Sequence, residues 1–348
     1  MSNTVAAPSG YAIERIDPAA ASTEVEAQVV ALMQAIEREE SPDDPPPPYE
    51  AMAAQFRMSS PFREMHWSGA FHAGRVVGGA MMMIDKTGAN TNVRQVYLQV
   101  LPEHRRRGIA RALLASVLAE IGDESGVVIH TWTTTRMPAG IACAERFGGE
   151  PALRMRTNQL DVASVDRGLM EEWARRDPPG YRLEWIDDDV PDRLMDNVIT
   201  AIQTMNTSPR EGLQVEDFVV TPEIVRDRER QRRERGSDHW MLLAVDEATG
   251  QTAAFTEINI DRRTPTVLWQ GGTATIPEHR GKKLGKWVKG RMMLRILDEL
   301  PAVRSVRTNN AGSNAPMLAI NEQMGYRFAY DNFVYQMTLE KARERVRR

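Results

Sequence analysis

Six consecutive residues, Arg105-Arg106-Arg107-Gly108-Ile109-Ala110, combine three cations, a glycine and a small residue. A run of this kind at the start of a helix can hold a diphosphate. Its first backbone N–H groups are unpaired, the helix dipole favours negative charge there, and glycine lets the oxygens approach the backbone. A second run, Arg280-Gly281-Lys282-Lys283-Leu284-Gly285, offers the same chemistry. Each run overlaps the end of a Pro-Glu-His-Arg tetrad, at residues 102–105 and 277–280.

These loops need a strand before them and a helix after them, and the sequence supplies both. Residues 93–101 and 266–276 are rich in β-formers and read as strands. Ile109, Leu113, Val117 and Ile121 form one apolar stripe, and Leu284, Val288, Met292 and Ile296 form another at an offset of 175. Both spacings predict amphipathic helices packed on a sheet. Residues 127–133 and 303–308 follow as second strands, which makes each set a βαβ unit. Gly10-Tyr11 opens an octad that recurs at Gly180-Tyr181, so the chain carries an internal duplication. The join falls at 161–179, a polar helical stretch ending in Asp177-Pro178-Pro179-Gly180, which leaves 1–160 and 180–348 as the expected domains. Residues 37–49, with five acids and prolines 45–48, cannot be helical throughout. Residues 226–235, six arginines among three acids, read as a salt-bridged helix.

Composition narrows the classes. The chain has 348 residues and a net charge of −4, so no global field recruits nucleic acid or an anionic membrane. Its single cysteine, Cys143, excludes an intrachain disulfide. No apolar run is long enough to span a bilayer, no secretory leader is visible at the start, and the six histidines lack metal-ligand spacing. A cytoplasmic, metal-free protein is expected.

The first loop resembles the signature of the GNAT family of N-acetyltransferases, Arg/Gln-x-x-Gly-x-Gly/Ala after a strand, at Arg105, Gly108 and Ala110. The second loop matches at Arg280 and Gly285, with Lys283 where the middle glycine is usual. The resemblance covers both halves and is strongest at 93–121 and 266–326. It implies an α/β protein with two GNAT folds in tandem, each a mixed, mostly antiparallel sheet with a central parallel pair and flanking helices. It further implies acetyl-CoA as acyl donor, held by residues 105–110 and 280–285, and a primary amine as acceptor that attacks the thioester directly. Backbone amides near Val100 and Leu101, or Thr275 and Ile276, would then stabilise the oxyanion. Asn314 matches a further family position on the cofactor-side helix, whereas Asn321 stands where a proton-donating tyrosine is usual.

The catalytic base has no family position to occupy, because neither loop-preceding strand carries the usual glutamate. Glu257 and Gln270 are the candidates for proton acceptance and for aligning the amine. The acids of 37–49 are candidates for attracting a cationic acceptor. Cys143, in the helix-like stretch Ile141-Ala142-Cys143-Ala144, reads as a small core residue. The alternative to transfer is a non-catalytic acetyl-CoA sensor or scaffold.

Overall fold

The computed structural model describes residues 7–348. The first half supplies strands β1 (Tyr11–Ile16), β2 (Arg63–His72), β3 (Arg75–Asp85), β4 (Val93–Val100), β5 (Val128–Thr134) and β6 (Glu150–Asp161). The second supplies β7 (Tyr181–Asp187), β8 (Ser237–Asp246), β9 (Thr252–Asp261), β10 (Val267–Thr275), β11 (Ser305–Ala311) and β12 (Arg327–Thr338). Helices α1 (Thr23–Glu40), α2 (Tyr49–Phe56), α3 (Ile109–Ile121), α4 (Pro138–Arg146) and α5 (Arg167–Ala174) precede β7. Helices α6 (Met195–Gln203), α7 (Pro222–Arg235), α8 (Leu284–Glu299), α9 (Ala315–Met324) and α10 (Leu339–Arg347) follow it.

Two compact units result. Unit 1 takes the chain up to Arg154 together with Glu211–Asp217 and Asn332–Arg348; unit 2 takes Met155–Arg210 and Phe218–Asp331. In unit 1 the strands run β1-β2-β3-β4-β5, antiparallel except for the parallel pair β4–β5, and Asn332–Thr338 of β12 closes the edge against β5. In unit 2 they run β7-β8-β9-β10-β11 with β10–β11 parallel, and Met155–Asp161 of β6 pairs with β11. The last strand of each half therefore belongs to the unit built mainly by the other half. This differs from the division at 160 and 180. Both edges need an antiparallel partner, and β6 and β12 are long enough to provide one.

Both apolar stripes lie where their spacing puts them. Ile109, Leu113, Val117 and Ile121 are buried on one face of the unit 1 sheet, and α1 buries Val29, Leu32, Met33 and Ile36 on a separate cluster. Leu284, Val288, Met292 and Ile296 are buried in unit 2. The 161–179 stretch is more than a linker: Met170 and Trp173 of α5 are fully buried in that core. A Cβ on Gly290 would stand 2.7 Å from the Trp173 Cβ, so glycine is what lets α8 approach α5 this closely. In α7 the arginines pair as expected, Arg226 with Asp192 and Glu229 and Arg230 with Asp227 and Glu234. The helix is only half exposed, since Glu229 and Asp227 are buried.

Candidate active site

Within each unit the octad meets its own tetrad. The Tyr11 hydroxyl is 3.1 Å from His104 Nδ1, and the Tyr181 hydroxyl 2.8 Å from His279 Nδ1. A cation from each loop joins the pair: Arg107 donates to Tyr11 at 3.3 Å, and Lys282 Nζ to Tyr181 at 2.5 Å. His104 and His279 thus fasten the loop to the first strand of the unit, a positioning task.

The loop backbones are alike although their sequences differ. Positive φ occurs at Arg106 (64°) and Gly108 (84°) in unit 1, and at Gly281 (80°) and Lys283 (63°) in unit 2. Each loop therefore needs the left-handed region twice and places its glycine at a different one of the two positions. Lys283 adopts the conformation its glycine counterpart has. No side chain caps α3 or α8, so their first N–H groups remain open to a ligand, and 106–108 and 281–283 are exposed. Ile109 and Leu284 are buried and Ala110 packs against the same core as Ile109, so these residues, with the half-buried Gly285, have only backbone amides to offer.

The first arginine of each loop is spent on the protein. Arg105 donates from Nε to the Val100 carbonyl at 3.0 Å and forks onto Glu39 at 2.7 and 2.5 Å. Arg280 reaches the Thr275 carbonyl at 3.4 Å and the Thr207 hydroxyl at 3.3 Å. Both brace the strand end, which leaves Arg106, Arg107, Lys282 and Lys283 as the loop cations nearest to solvent.

Above each loop the parallel pair splays. β4 and β5 pair only from Val93 to Gln95, yet β4 runs on to Val100 and β5 to Thr134. The amide of Leu101 donates to Val77 at 3.0 Å, and that of Ile276 to Ala253 at 2.9 Å. Leu101 and Ile276 are therefore unavailable to an oxyanion, contrary to expectation. Because antiparallel pairing alternates, the residues one step back, Val100 and Thr275, turn their amides away from β3 and β9 and toward the gap, as does Leu98.

In unit 1 the gap is a cavity of about 350 Å³. Its walls come from β4 at residues 96–99, β5 at 129 and 131–134, α4, Ile36 and Glu40 of α1, Leu114 of α3 and Met337 of β12. Cys143 also lines it, and burial pushes its thiol up to about 11. Alkylation of this sole cysteine by iodoacetamide at pH 8 should run roughly a hundredfold slower than for a free thiol, as the smaller thiolate fraction requires; labelling at the free-thiol rate would show an activated cysteine instead.

In unit 2 the helix residue that corresponds to Leu114 is a buried cation. Lys289 stands 175 residues after Leu114 and is buried; its Nζ donates to Gln270 Oε1 at 2.7 Å. Tyr326 donates to the same oxygen at 3.0 Å, and Gln270 Nε2 donates to Thr256 at 2.9 Å. Gln270 thus commits both ends of its amide to the protein. Burial lowers the Lys289 ammonium to about 7. Glu257 accepts from the Gly272 amide at 2.9 Å and lies 2.9 Å from His239 Nε2. Burial opposes its ionisation, but His239, the Gly272 amide and Arg228 together hold the carboxyl below its ordinary range. The sequence brought Glu257 and Gln270 to notice separately; the fold places them on neighbouring strands, in different networks. Asn314 caps α9 by accepting from the Met317 amide at 3.4 Å. Asn321 is buried and donates to Asn310 at 2.8 Å, with its own oxygen unpartnered. No group of three metal-capable side chains exists among the described residues.

The acidic stretch is not one loop. α1 continues through Glu40, so Glu37, Glu39 and Glu40 form its last turn, and only 41–48 is irregular. Glu40 was legible only as one acid among five.

A family model described as the Acetyltransferase (GNAT) family matches residues 29–148. A solved tandem GNAT protein from the clavulanic acid biosynthesis pathway superposes with a TM-score of 0.77 at 24% identity, over 94% of this chain and 98% of that one. The chain has the tandem GNAT fold. An N-acetyltransferase from Sphaerobacter thermophilus shares the fold at a TM-score of 0.67 and 14% identity, over 95% and 96% of the two chains. Among curated sequences, this chain is 30% identical to the mycothiol acetyltransferase of Clavibacter sepedonicus over 169 residues, 47% of this chain and 48% of that one. It is 32% identical to the mycothiol acetyltransferase of Cellulomonas flavigena over 118 residues, 33% and 32% of the two chains. The matches span about half the length of the first relative and a third of the second.

Proposed function

We propose that this protein is an acetyl-CoA-dependent N-acetyltransferase in which unit 1 takes the donor and carries out transfer to a primary amine. The observation that carries this reading is the cavity between β4 and β5, which opens beyond the last residues they pair, Gln95 and His130, and has Leu114 of α3 in its wall. Residues 106–110 would hold the diphosphate through backbone amides, with Arg106 and Arg107 adding charge. The largely apolar walls suit the pantetheine arm, and the amides of Leu98 and Val100 would hydrogen-bond along it and polarise the carbonyl. Bound there, acetyl-CoA supplies an activated acetyl group. The residues around it exclude water and hold the amine in line, which is most of what direct transfer requires.

Unit 2 has the same loop backbone but buries a cation beside its parallel pair, with Lys289 and Tyr326 both donating to Gln270. This favours, for unit 2, the second reading: acetyl-CoA binding at 280–285 without transfer. Glu257, kept ionised beside His239, would be the proton acceptor of any transfer that unit does perform.

The test is release of CoA thiol from acetyl-CoA with a panel of primary amines, headed by the amine that mycothiol acetyltransferases acetylate. Amine-dependent thiol release with a matching acetylated product is the expected result. Tight acetyl-CoA binding without transfer to any amine would assign the whole chain to the binding class.

A further inference from the structure

The cavity of unit 1 passes through the sheet. At one end lie Leu114, Phe147 and Met337, which pack with the core under α3; at the other lie Ile36 and Glu40 of α1, on the opposite face. A thioester entering from the α3 cradle would point its carbonyl toward the α1 side, where an acceptor arrives. Three of the lining side chains are titratable: Glu40, Tyr97 and Cys143. Tyr97 is pushed above its ordinary range by burial, and Cys143 up to about 11, so neither accepts a proton near neutrality.

We propose that Glu40 is the catalytic base of unit 1, taking the proton from the acceptor ammonium at the α1 end of the cavity. The assignment rests on the reading of unit 1 as the transferring unit. Glu40 ends α1, where the dipole disfavours a carboxylate, and it is half-buried against apolar walls. Burial, then the charge of Glu37 one turn earlier, pushes its carboxyl up to about 7, against the opposing pull of Arg136. Arg136, after β5, donates to the Glu40 backbone carbonyl at 3.4 Å, and Arg105 neutralises Glu39, so Glu37 and Arg136 are the nearby charges that act on Glu40. A base of this strength at neutral pH is well matched to general-base work.

The balance is simple. The ammonium gives one proton to the Glu40 carboxylate. The freed amine nitrogen attacks the thioester carbon, the C–N bond forms, and the C–S bond breaks with its electron pair going to sulfur. The second proton lost by the nitrogen converts the departing thiolate to the thiol. Glu40 returns its proton to water before the next turnover.

The experiment compares the full chain with its Glu40→Gln and Glu40→Asp variants. Thiol release is followed from pH 5.5 to 9 with the amine that gives turnover, and acetyl-CoA affinity is measured by calorimetry. The wild type should show kcat/KM rising through a limb near pH 7. Glu40→Gln should lose about 10²–10³ in kcat at pH 7 and lose that limb, with acetyl-CoA affinity within about threefold; Glu40→Asp should recover part of the rate. A carboxyl with a raised folded pKa contributes stability at low pH that is lost as pH rises through about 7. The Gln variant should therefore be the more stable protein at pH 8, which separates lost chemistry from lost folding. Transfer by Glu40→Gln within threefold of wild type, with the limb intact, overturns the assignment and leaves the proposed function standing. So does a variant whose deficit lies wholly in acetyl-CoA affinity. Failure of the wild type to bind acetyl-CoA overturns both.

Discussion

Replacing Gly108 by valine should lower acetyl-CoA affinity at unit 1 by at least tenfold while the sheet stays folded. The residue sits at φ 84°, and the nearest atom to an added Cβ is Pro8 Cγ at 3.4 Å. The obstacle is thus conformational: a β-branched residue in the left-handed region costs about 1–3 kcal/mol. The loop relieves that strain by leaving the region, which turns the amides of 108–110 off their common focus. In unit 2, Lys283 already bears the strain at φ 63°. Lys283→Gly should therefore gain up to about 1 kcal/mol, part of the relief being offset by the greater freedom of glycine in the unfolded chain. Cofactor occupancy by mass spectrometry under non-denaturing conditions, with thermal midpoints, reads both effects. Full occupancy of unit 1 in the Gly108→Val protein would mean that the cradle is elsewhere.

Lys289→Met should produce the largest change in stability. The wild-type amine has an ordinary value of 10.5 and a folded value of about 7. Between those values the unfolded chain binds more protons than the folded one, so stability must rise with pH across that window, by up to about 1.4 kcal/mol per pH unit. Methionine matches the length of lysine and carries no charge, and Tyr326 continues to donate to Gln270 after the exchange. The variant should be several kcal/mol more stable at pH 7 and nearly level from pH 7 to 10.5. Urea titrations followed through Trp173 and Trp287, both buried in this core, report on unit 2 directly. Parallel curves for the two proteins would show that Lys289 is not the buried cation described here.

These two sites differ in how much of them the sequence disclosed. The two loops were legible because what marks them is local: cations, small residues and a helix start lie within six positions, and duplication repeated them. The flanking strands and helices were legible for the same reason, since periods of two and of about four residues report which face is covered. Glu40 was not. Its role depends on burial at the far end of a cavity whose other walls include residues 96–99, 129 and 131–134, and no spacing within α1 encodes that. The amides were misjudged at Leu101 and Ile276 because the direction of a backbone N–H follows from strand register, which a side-chain pattern does not specify.

The sequence by itself determined two copies of a strand, loop and helix, the positions of both loops and the apolar faces that build each core. Only the tertiary structure decided which strand completes which unit, that a cavity lies beyond the paired part of β4 and β5 with Glu40 in its wall, and that Lys289 is buried beside Gln270. The physical reason is range. Hydrophobic periodicity and helix-start chemistry act between near neighbours in the chain, whereas edge pairing, cavity volume and desolvation depend on residues that are brought together only when the chain has folded.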